Sequence, residues 1–518
     1  MADRGVSAHD ALTLGAPWFT GALGLYWLSG ARGLVWADSS KLTLYALAGY
    51  VPSLNPGDHA GWTAICWVWF HLLGGDPVLA AHRLSAVAGA LVVALGALLV
   101  LERSGDRARA HSAAAVLLVA LPLWWSAGVA ETYAPALAAT LAGALVLRQG
   151  VSGWRWWAAG GLWGLALATH AMAVFLVVPL AWEVGRTRAW RLLPGVLVGS
   201  APVWLALFGG PRDPLTGFAA GGPGAWRWHW EAFLAFARAP RNAALLGALL
   251  AYGLGVFGLL AFWRARREPR GHAVWAWSLG ALSLLLLSYA PFRLHLMVAF
   301  LMVGLVLALP VQLSLWARVG HIGVQSVAYV VVPAVLTLAD HQALGVRVIA
   351  SRNNAFYFLC PVKTSADRLP GRESAAEESR NSDRLTTLRR WAGALDPGTT
   401  SYLATVARCA PADAVVLSDF NPGAVLRLAQ VAHAWRPDLT IRPVAVDVAL
   451  GTTDPTGALA AEIERTRASR PVLLADSYPP YYRSGELAAR FELRPCGSVI
   501  AIAGGPPEGR RGRERADP

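Results

Sequence analysis

Residues 80–101, AAHRLSAVAGALVVALGALLVL, run straight into ERSGDRAR at 102–109, and the reading of that junction decides the fold. Apart from His82 and Arg83 at its start, the run is uncharged and has the length of about 20 residues that a helix needs to cross a hydrocarbon core. The arginines that follow, Arg103, Arg107 and Arg109, mark the end that stays in the cytoplasm.

The same pattern extends outward in both directions. Ala11 to Leu28 reads as a retained first span, because no small-residue cleavage site follows it and further apolar blocks do. Residues 30–77 then form one large outer loop, with an amphipathic helix expected at Lys41 to Tyr50 and a polar turn from Pro52 to His59. Trp62 to Leu73 is too short to span and reads as an interfacial or re-entrant helix. On the other side, apolar blocks recur at 112–127, 134–147, 156–169, 171–184, 192–208, 243–263, 273–287, 294–315 and 322–338. Alternate gaps carry arginines, among them Arg148, Arg155, Arg186, Arg188, Arg191, Arg264, Arg266 and Arg318. Loop 209–239 is rich in glycine and holds Trp226, Trp228 and Trp230, as interfacial segments do. The expectation is about eleven transmembrane helices over 1–340, amino terminus inside and carboxyl terminus outside.

Composition agrees. Of 518 residues 55% are hydrophobic and only 15% charged, where a soluble domain would carry nearer a quarter. The net charge of +13 does not point to nucleic acid, since the arginines are spread through short gaps rather than gathered on one face. Four cysteines are too few for a disulfide framework; Cys409 and Cys496 could pair if their domain is extracytoplasmic, and two free thiols are the equal alternative.

After residue 340 the pattern changes. Residues 341–390 read as a linker, 391–503 as a small extracytoplasmic α/β domain and 504–518 as a disordered tail. Strands are expected at Ala414 to Leu417, Thr440 to Val446, Val472 to Leu474 and Ser498 to Ile502, with helices at Asn421 to Ala434 and Ala458 to Ala468.

The acids Asp38, Asp58, Glu131, Asp213 and Glu231 all fall on the outer side in this topology. Ionisable groups near a bilayer are costly and usually serve a function or a pairing, so the cluster suggests a site facing outward; the plain alternative for each is a solvated loop acid. Asp38 follows the first span, and Glu131 sits between Trp124-Trp125 and Tyr133 at a span boundary. Two carboxylates brought together could share general-base work and cation coordination. His59 and His170 lie at the same level, where a histidine can hold a phosphate or simply bond at the interface. Arg293 and His295 are outer cations against the positive-inside trend, suited either to a lipid phosphate or to anchoring. No HExxH or CxxC pair calls for zinc. Asp419 follows a strand where α/β domains place ligands, without a glycine-rich phosphate loop.

Several of these residues resemble, in order and spacing, a family of membrane proteins within the C-type (GT-C) glycosyltransferase superfamily, one that includes a transmembrane protein O-mannosyltransferase. The similar stretches are Trp36-Ala37-Asp38-Ser39, the Asp58-His59 turn, Arg83-Leu84-Ser85-Ala86, Trp124-Trp125-Ser126 and Ala130-Glu131-Thr132-Tyr133. The likeness extends to Gly164-Leu165-Ala166 with His170, more loosely to Thr216-Gly217-Phe218, and in the soluble part to 412–417 and Arg436-Pro437-Asp438. Two departures stand out: Lys41 lies near a position where the family often has an acid, and Ala60-Gly61-Trp62 replaces a proline-rich turn.

The resemblance implies a polyprenyl-phosphate sugar donor, an outward-facing site and inversion at the anomeric carbon. Asp38 would take the proton of an acceptor hydroxyl, with Glu131 assisting or binding a divalent cation together with Asp38. His59, His170 and Arg293 would receive the leaving phosphate, and the acceptor would be protein, lipid or polysaccharide. Two other classes compete. A transporter or flippase of a lipid-linked sugar predicts two matching halves with charged residues at mid-span, and neither is visible. A membrane anchor for a ligand-binding domain needs no outer acids.

Overall fold

A computed structural model describes residues 6–36, 38–50, 59–149, 153–185, 189–207, 239–265, 273–288, 294–309, 311–343, 360–363, 398–443, 455–477 and 482–504. The first helical run starts at Ala8–Asp10, passes through a π-helical turn, Ala11–Gly15, and continues as α1 (Ala16–Ser29). Next come α2 (Asp38–Leu47), α3 (Ala60–Leu73), α4 (Pro77–Ser104), α5 (Arg107–Leu118), α6 (Leu121–Gly128), α7 (Tyr133–Arg148) and α8 (Gly153–Thr169). A 3₁₀ turn, Ala171–Ala173, leads into α9 (Val174–Gly185). Then follow α10 (Leu193–Gly199), α11 (Ala201–Leu207), α12 (Ala239–Ala265), α13 (Ala273–Ser288), α14 (Leu294–Ala308) and α15 (Leu315–Ala343).

The run that decided the fold is α4, the centre of the bundle, packed against α1, α5, α6 and α7. Its start is fixed by Asp76, whose carboxylate accepts the Leu79 N–H at 2.9 Å, with Pro77 in the first turn, where a missing N–H costs nothing. Gly105 at φ 67° ends it in the left-handed conformation that favours glycine.

The described part of each expected apolar block is helical over most of its length, and among the described residues fewer than eleven helices reach spanning length. Among the described residues three are long and apolar enough, Pro77–Ser104, Pro240–Arg264 and Leu315–Pro333, with a fourth if α5 and α6 form one bent span. The run from Ala8 to Ser29 is also continuous, about 30 Å at 1.5 Å per residue. The expected span 112–127 is bent by 59° between α5 and α6, where Pro122 enters the first turn of α6. The block 192–208 divides into α10 and α11, and the block 294–315 ends as a helix at Ala308.

Small residues decide one contact. Gly160 and Gly164 of α8 face the backbone of 192–200, and a Cβ on Gly164 would collide with the Val196 carbonyl oxygen. Backbones approach this closely only when glycine lines the seam. At the end of α4 remote from His82, Glu183 accepts from Arg103, Arg148 and the Trp275 indole (2.6 Å), and Arg148 also binds Glu102 at 2.6 Å. Two acids and two guanidiniums balance, so charges buried among α4, α7, α9 and α13 are paired rather than stranded.

The carboxyl-terminal part contains α16 (Thr399–Cys409), β1 (Val415–Ser418), α17 (Phe420–His433), β2 (Thr440–Pro443), α18 (Pro455–Arg467), β3 (Val472–Leu474), β4 (Glu492–Cys496) and β5 (Val499–Gly504). The sheet order is β2-β1-β3-β5-β4; β1 is parallel to β2 and β3, and β5 is antiparallel to β3 and β4. The expected strands and helices recur within a few residues, but β4 and α16 were not expected. β4 is an edge strand whose Glu492, Arg494 and Pro495 mask any apolar alternation. Cys409 and Cys496 form a disulfide with Cα atoms 6.1 Å apart, joining α16 to β4.

This domain docks on the segment between α1 and α2. Thr399 Oγ1 donates to the Leu34 carbonyl at 2.6 Å, and the Trp36 and Tyr402 rings lie 5.1 Å apart. α17 packs along α2.

Candidate active site

Asp38 opens α2. Trp36, fully buried two residues earlier, is held under Tyr402, and Ser40 Oγ donates to the Val35 carbonyl, so the chain entering the helix is fixed on both sides. One turn on, Lys41 Nζ lies 3.4 Å from Asp38 Oδ1, the spacing at which helical side chains pair. The acid side chain is 36% exposed and the lysine 8%, so the carboxylate reaches solvent while the ammonium does not. The i+3 spacing of Lys41 from Asp38 is the sequence signal for this pair, beyond the start of a helix and the departure from the family that Lys41 also marks.

His59 stands at the start of α3 and His170 in the turn between α8 and the 3₁₀ turn at 171–173, both outside the long helices. Their rings stack with centroids 5.1 Å apart and planes within 18°. His59 Nδ1–H donates to the Thr169 carbonyl at 3.0 Å, while His170 Nδ1 accepts the Met172 N–H at 3.1 Å. These bonds leave the proton of His170 on Nε2 and make Nε2 the basic nitrogen of His59. Burial lowers His59 to about 4, helped by the Lys41 charge and opposed by Asp38 and by the bond to Thr169. Burial, then the repulsion that a protonated His59 would exert, holds His170 well below the usual histidine range. Tyr133 and Phe300 also pack on the His170 ring, with centroids 4.7 and 5.3 Å away.

Glu131 lies buried in the turn between α6 and α7. Its N–H donates to Ser85 Oγ at 3.1 Å, and the Ala130 N–H donates to His82 Nδ1 at 2.8 Å. Because that nitrogen accepts, the proton sits on His82 Nε2, which donates to the Gly33 carbonyl at 2.8 Å. His82 thus fastens the segment leading to Asp38 onto the turn carrying Glu131. Sequence reading missed it, although an ionisable residue inside an apolar helix was the available signal. Leu42 and Ala46 of α2, Trp62 and Cys66 of α3, Ala81 and Leu84 of α4, and Ala130 form one apolar cluster beneath these groups.

Asp38 and Lys41 are therefore close to His59, which stacks on His170, and the turn carrying Glu131 is joined through His82 to the segment that precedes Asp38. Arg293, Asp58, Asp213 and Glu231 lie outside the described residues, as does the side chain of His295. Asp419 caps α17, accepting the Asn421 N–H at 3.1 Å and the Tyr482 hydroxyl at 2.6 Å. A divalent cation on Asp38 and Glu131 would need several oxygen ligands. Lys41 already neutralises Asp38, and among the described residues no group of three or more His, Cys, Asp or Glu side chains could hold a metal ion. Among the described residues, then, the donor set does not fit a resident cation.

The arrangement offers a solvent-reaching carboxylate beside a buried ammonium and two neutral imidazoles of fixed tautomer. It can take a proton from a hydroxyl and receive a developing anion. The chain matches no family model and no curated protein. Two crystal structures of ArnT from Cupriavidus metallidurans are similar to it, one in the apo state and one bound to undecaprenyl phosphate. Each likeness covers 96% of this chain and 98% of the other, with a TM-score of 0.49 and identities of 15% and 14%.

Proposed function

We propose that the chain is a membrane glycosyltransferase that moves a mannose-like sugar from a polyprenyl-phosphate donor to an acceptor hydroxyl at the outer face. The observation that carries this reading is the cluster of Asp38, Lys41, His59 and His170 at one end of an apolar helical bundle. Proton acceptor and anion receiver stand side by side there, and glycosyl transfer from a phosphate needs both.

In the proposed reaction the acceptor hydroxyl gives its proton to the Asp38 carboxylate while its oxygen attacks the anomeric carbon from the face opposite the phosphate. The bond from that carbon to the phosphate oxygen breaks, the configuration inverts, and polyprenyl phosphate leaves with the electron pair. An arriving phosphate competes for the Lys41 ammonium, which frees Asp38 to act as base. His170, through its Nε2–H, and Arg293 complete the phosphate site, His59 backs the His170 ring by stacking on it, and Glu131 supports Asp38 through the turn that His82 holds.

In this reading residues 1–340 form the membrane domain, with its large outer loop at 30–77, and 341–390 the linker. Residues 391–503 lie outside the cell's inner membrane, which the Cys409–Cys496 disulfide supports, since such bonds persist in oxidising compartments. The partners are the lipid-linked donor, surrounding membrane lipids and a hydroxyl acceptor of protein, lipid or polysaccharide; nucleic acid has no part.

The test is release of polyprenyl phosphate from polyprenyl-phosphate mannose and glucose by the full chain in lipid nanodiscs, beside Asp38→Asn at unchanged melting temperature. Turnover with one donor that the variant loses by about a hundredfold or more is expected. Equal turnover in both removes Asp38 from the mechanism, and donor binding without turnover favours transport of the lipid-linked sugar.

A further inference from the structure

The Lys41 ammonium has a second neighbour that comes from the other domain. Its Nζ lies 5.7 Å from the centroid of the Phe420 ring, the first residue of α17. A buried ammonium over an aromatic face is attracted by the ring's negative quadrupole, most strongly where water is excluded.

The ring is held firmly. The preceding residue, Asp419, caps α17 through the Asn421 N–H, accepts the Tyr482 hydroxyl at 2.6 Å, and donates its own N–H to the Tyr482 oxygen at 2.9 Å. Asp419 and Tyr482 are both buried, so the start of this helix is a fixed point of the soluble domain. At its far end His433 Nδ1 approaches Asp76, the cap of α4, at 3.9 Å. α17 therefore lies across the site from α2 to the beginning of α4.

We propose that Phe420 is a positioning residue of the active site: it holds the Lys41 ammonium where the donor phosphate is received, so the soluble domain supplies one wall of the lipid-phosphate site. This rests on the transferase reading above. It assigns the carboxyl-terminal domain a direct part in binding the donor, through a ring face that an aliphatic side chain of similar volume cannot reproduce.

The experiment uses the full chain in nanodiscs and reads two quantities: affinity for polyprenyl monophosphate, and the kcat and KM of donor turnover. Phe420→Leu should weaken polyprenyl monophosphate binding about threefold to tenfold and raise the donor KM more than it lowers kcat. Phe420→Tyr, which keeps the ring, should restore the affinity. Added to Lys41→Met, Phe420→Leu should cause no further loss of binding, because the two act through one contact. A purely structural ring predicts the opposite pattern, a lowered melting temperature with additive losses. Affinity unchanged by Phe420→Leu in a wild type that binds and turns over, or full additivity with Lys41→Met, overturns the proposal alone. A wild type that neither binds polyprenyl monophosphate nor turns over overturns the transferase reading and this proposal with it.

Discussion

His59 lies stacked on His170, ring centroids 5.1 Å apart, although the two are carried by different helical hairpins. Two like-charged imidazolium rings would not remain in that position, and burial keeps both neutral, with His59 lowered to about 4. In the unfolded chain each returns to the ordinary value near 6.5. Between pH 6.5 and pH 4 the unfolded state therefore binds more protons, and stability falls as pH falls through that window. Shifts of this size correspond to about 2 kcal/mol for His59 alone by pH 4.5. Melting temperatures in nanodiscs at pH 7.5 and 4.5 should differ accordingly, and His59→Asn should shrink the difference. A wild-type melting temperature flat across that range would show that the pair is not neutral and buried.

His82 makes the second prediction. Replacing it by alanine leaves the Ala130 N–H and the Gly33 carbonyl without their shared partner deep in the bundle, at a cost of about 1–3 kcal/mol. Because the segment leading to Asp38 and the turn of Glu131 are then uncoupled, turnover should fall at least about tenfold in protein that still folds. His82→Asn, which keeps an acceptor near the Nδ1 position, should recover part of both losses. Turnover of His82→Ala equal to wild type, measured per folded molecule, would reduce His82 to a packing residue.

Much of this was legible in the sequence, for identifiable reasons. Apolar blocks give helices because a helix satisfies its backbone hydrogen bonds within one segment, so the described part of each expected block is largely helical even where the helix is shorter than the block. The bend between α5 and α6 follows from Pro122, which periodicity does not register. The pairing of Asp38 with Lys41 follows from their i,i+3 spacing on one helix, a signal present in the sequence though no pair was read from it. The stacking of His59 on His170 was not legible, since nothing local in either segment announces the other. Phe420 was hidden for the same reason: its partner lies in another domain, and an aromatic after a strand reads as ordinary core.

Gly61 gives the sharpest test of how the histidine pair is held. It sits two residues after His59 on α3, where a Cβ would lie 2.6 Å from both the backbone nitrogen and Oγ1 of Thr169 and 2.7 Å from the Ala168 carbonyl carbon. Backbone atoms cannot swing aside, so Gly61→Ala must push α3 away from the end of α8, at a cost of about 1–3 kcal/mol. The first bond to stretch is the one from His59 Nδ1 to the Thr169 carbonyl, and with it goes the registry of the stacked rings. Polyprenyl monophosphate affinity should therefore fall about tenfold while most of the protein remains folded at 25 °C. Gly280→Ala supplies the control: nothing lies within 4 Å of its added Cβ, and an alanine within a helix should hold or slightly raise the melting temperature. If Gly61→Ala binds the lipid phosphate as tightly as Gly280→Ala does, the close approach of α3 to α8 has no bearing on the phosphate site, and the imidazole pair must be assigned a purely structural part.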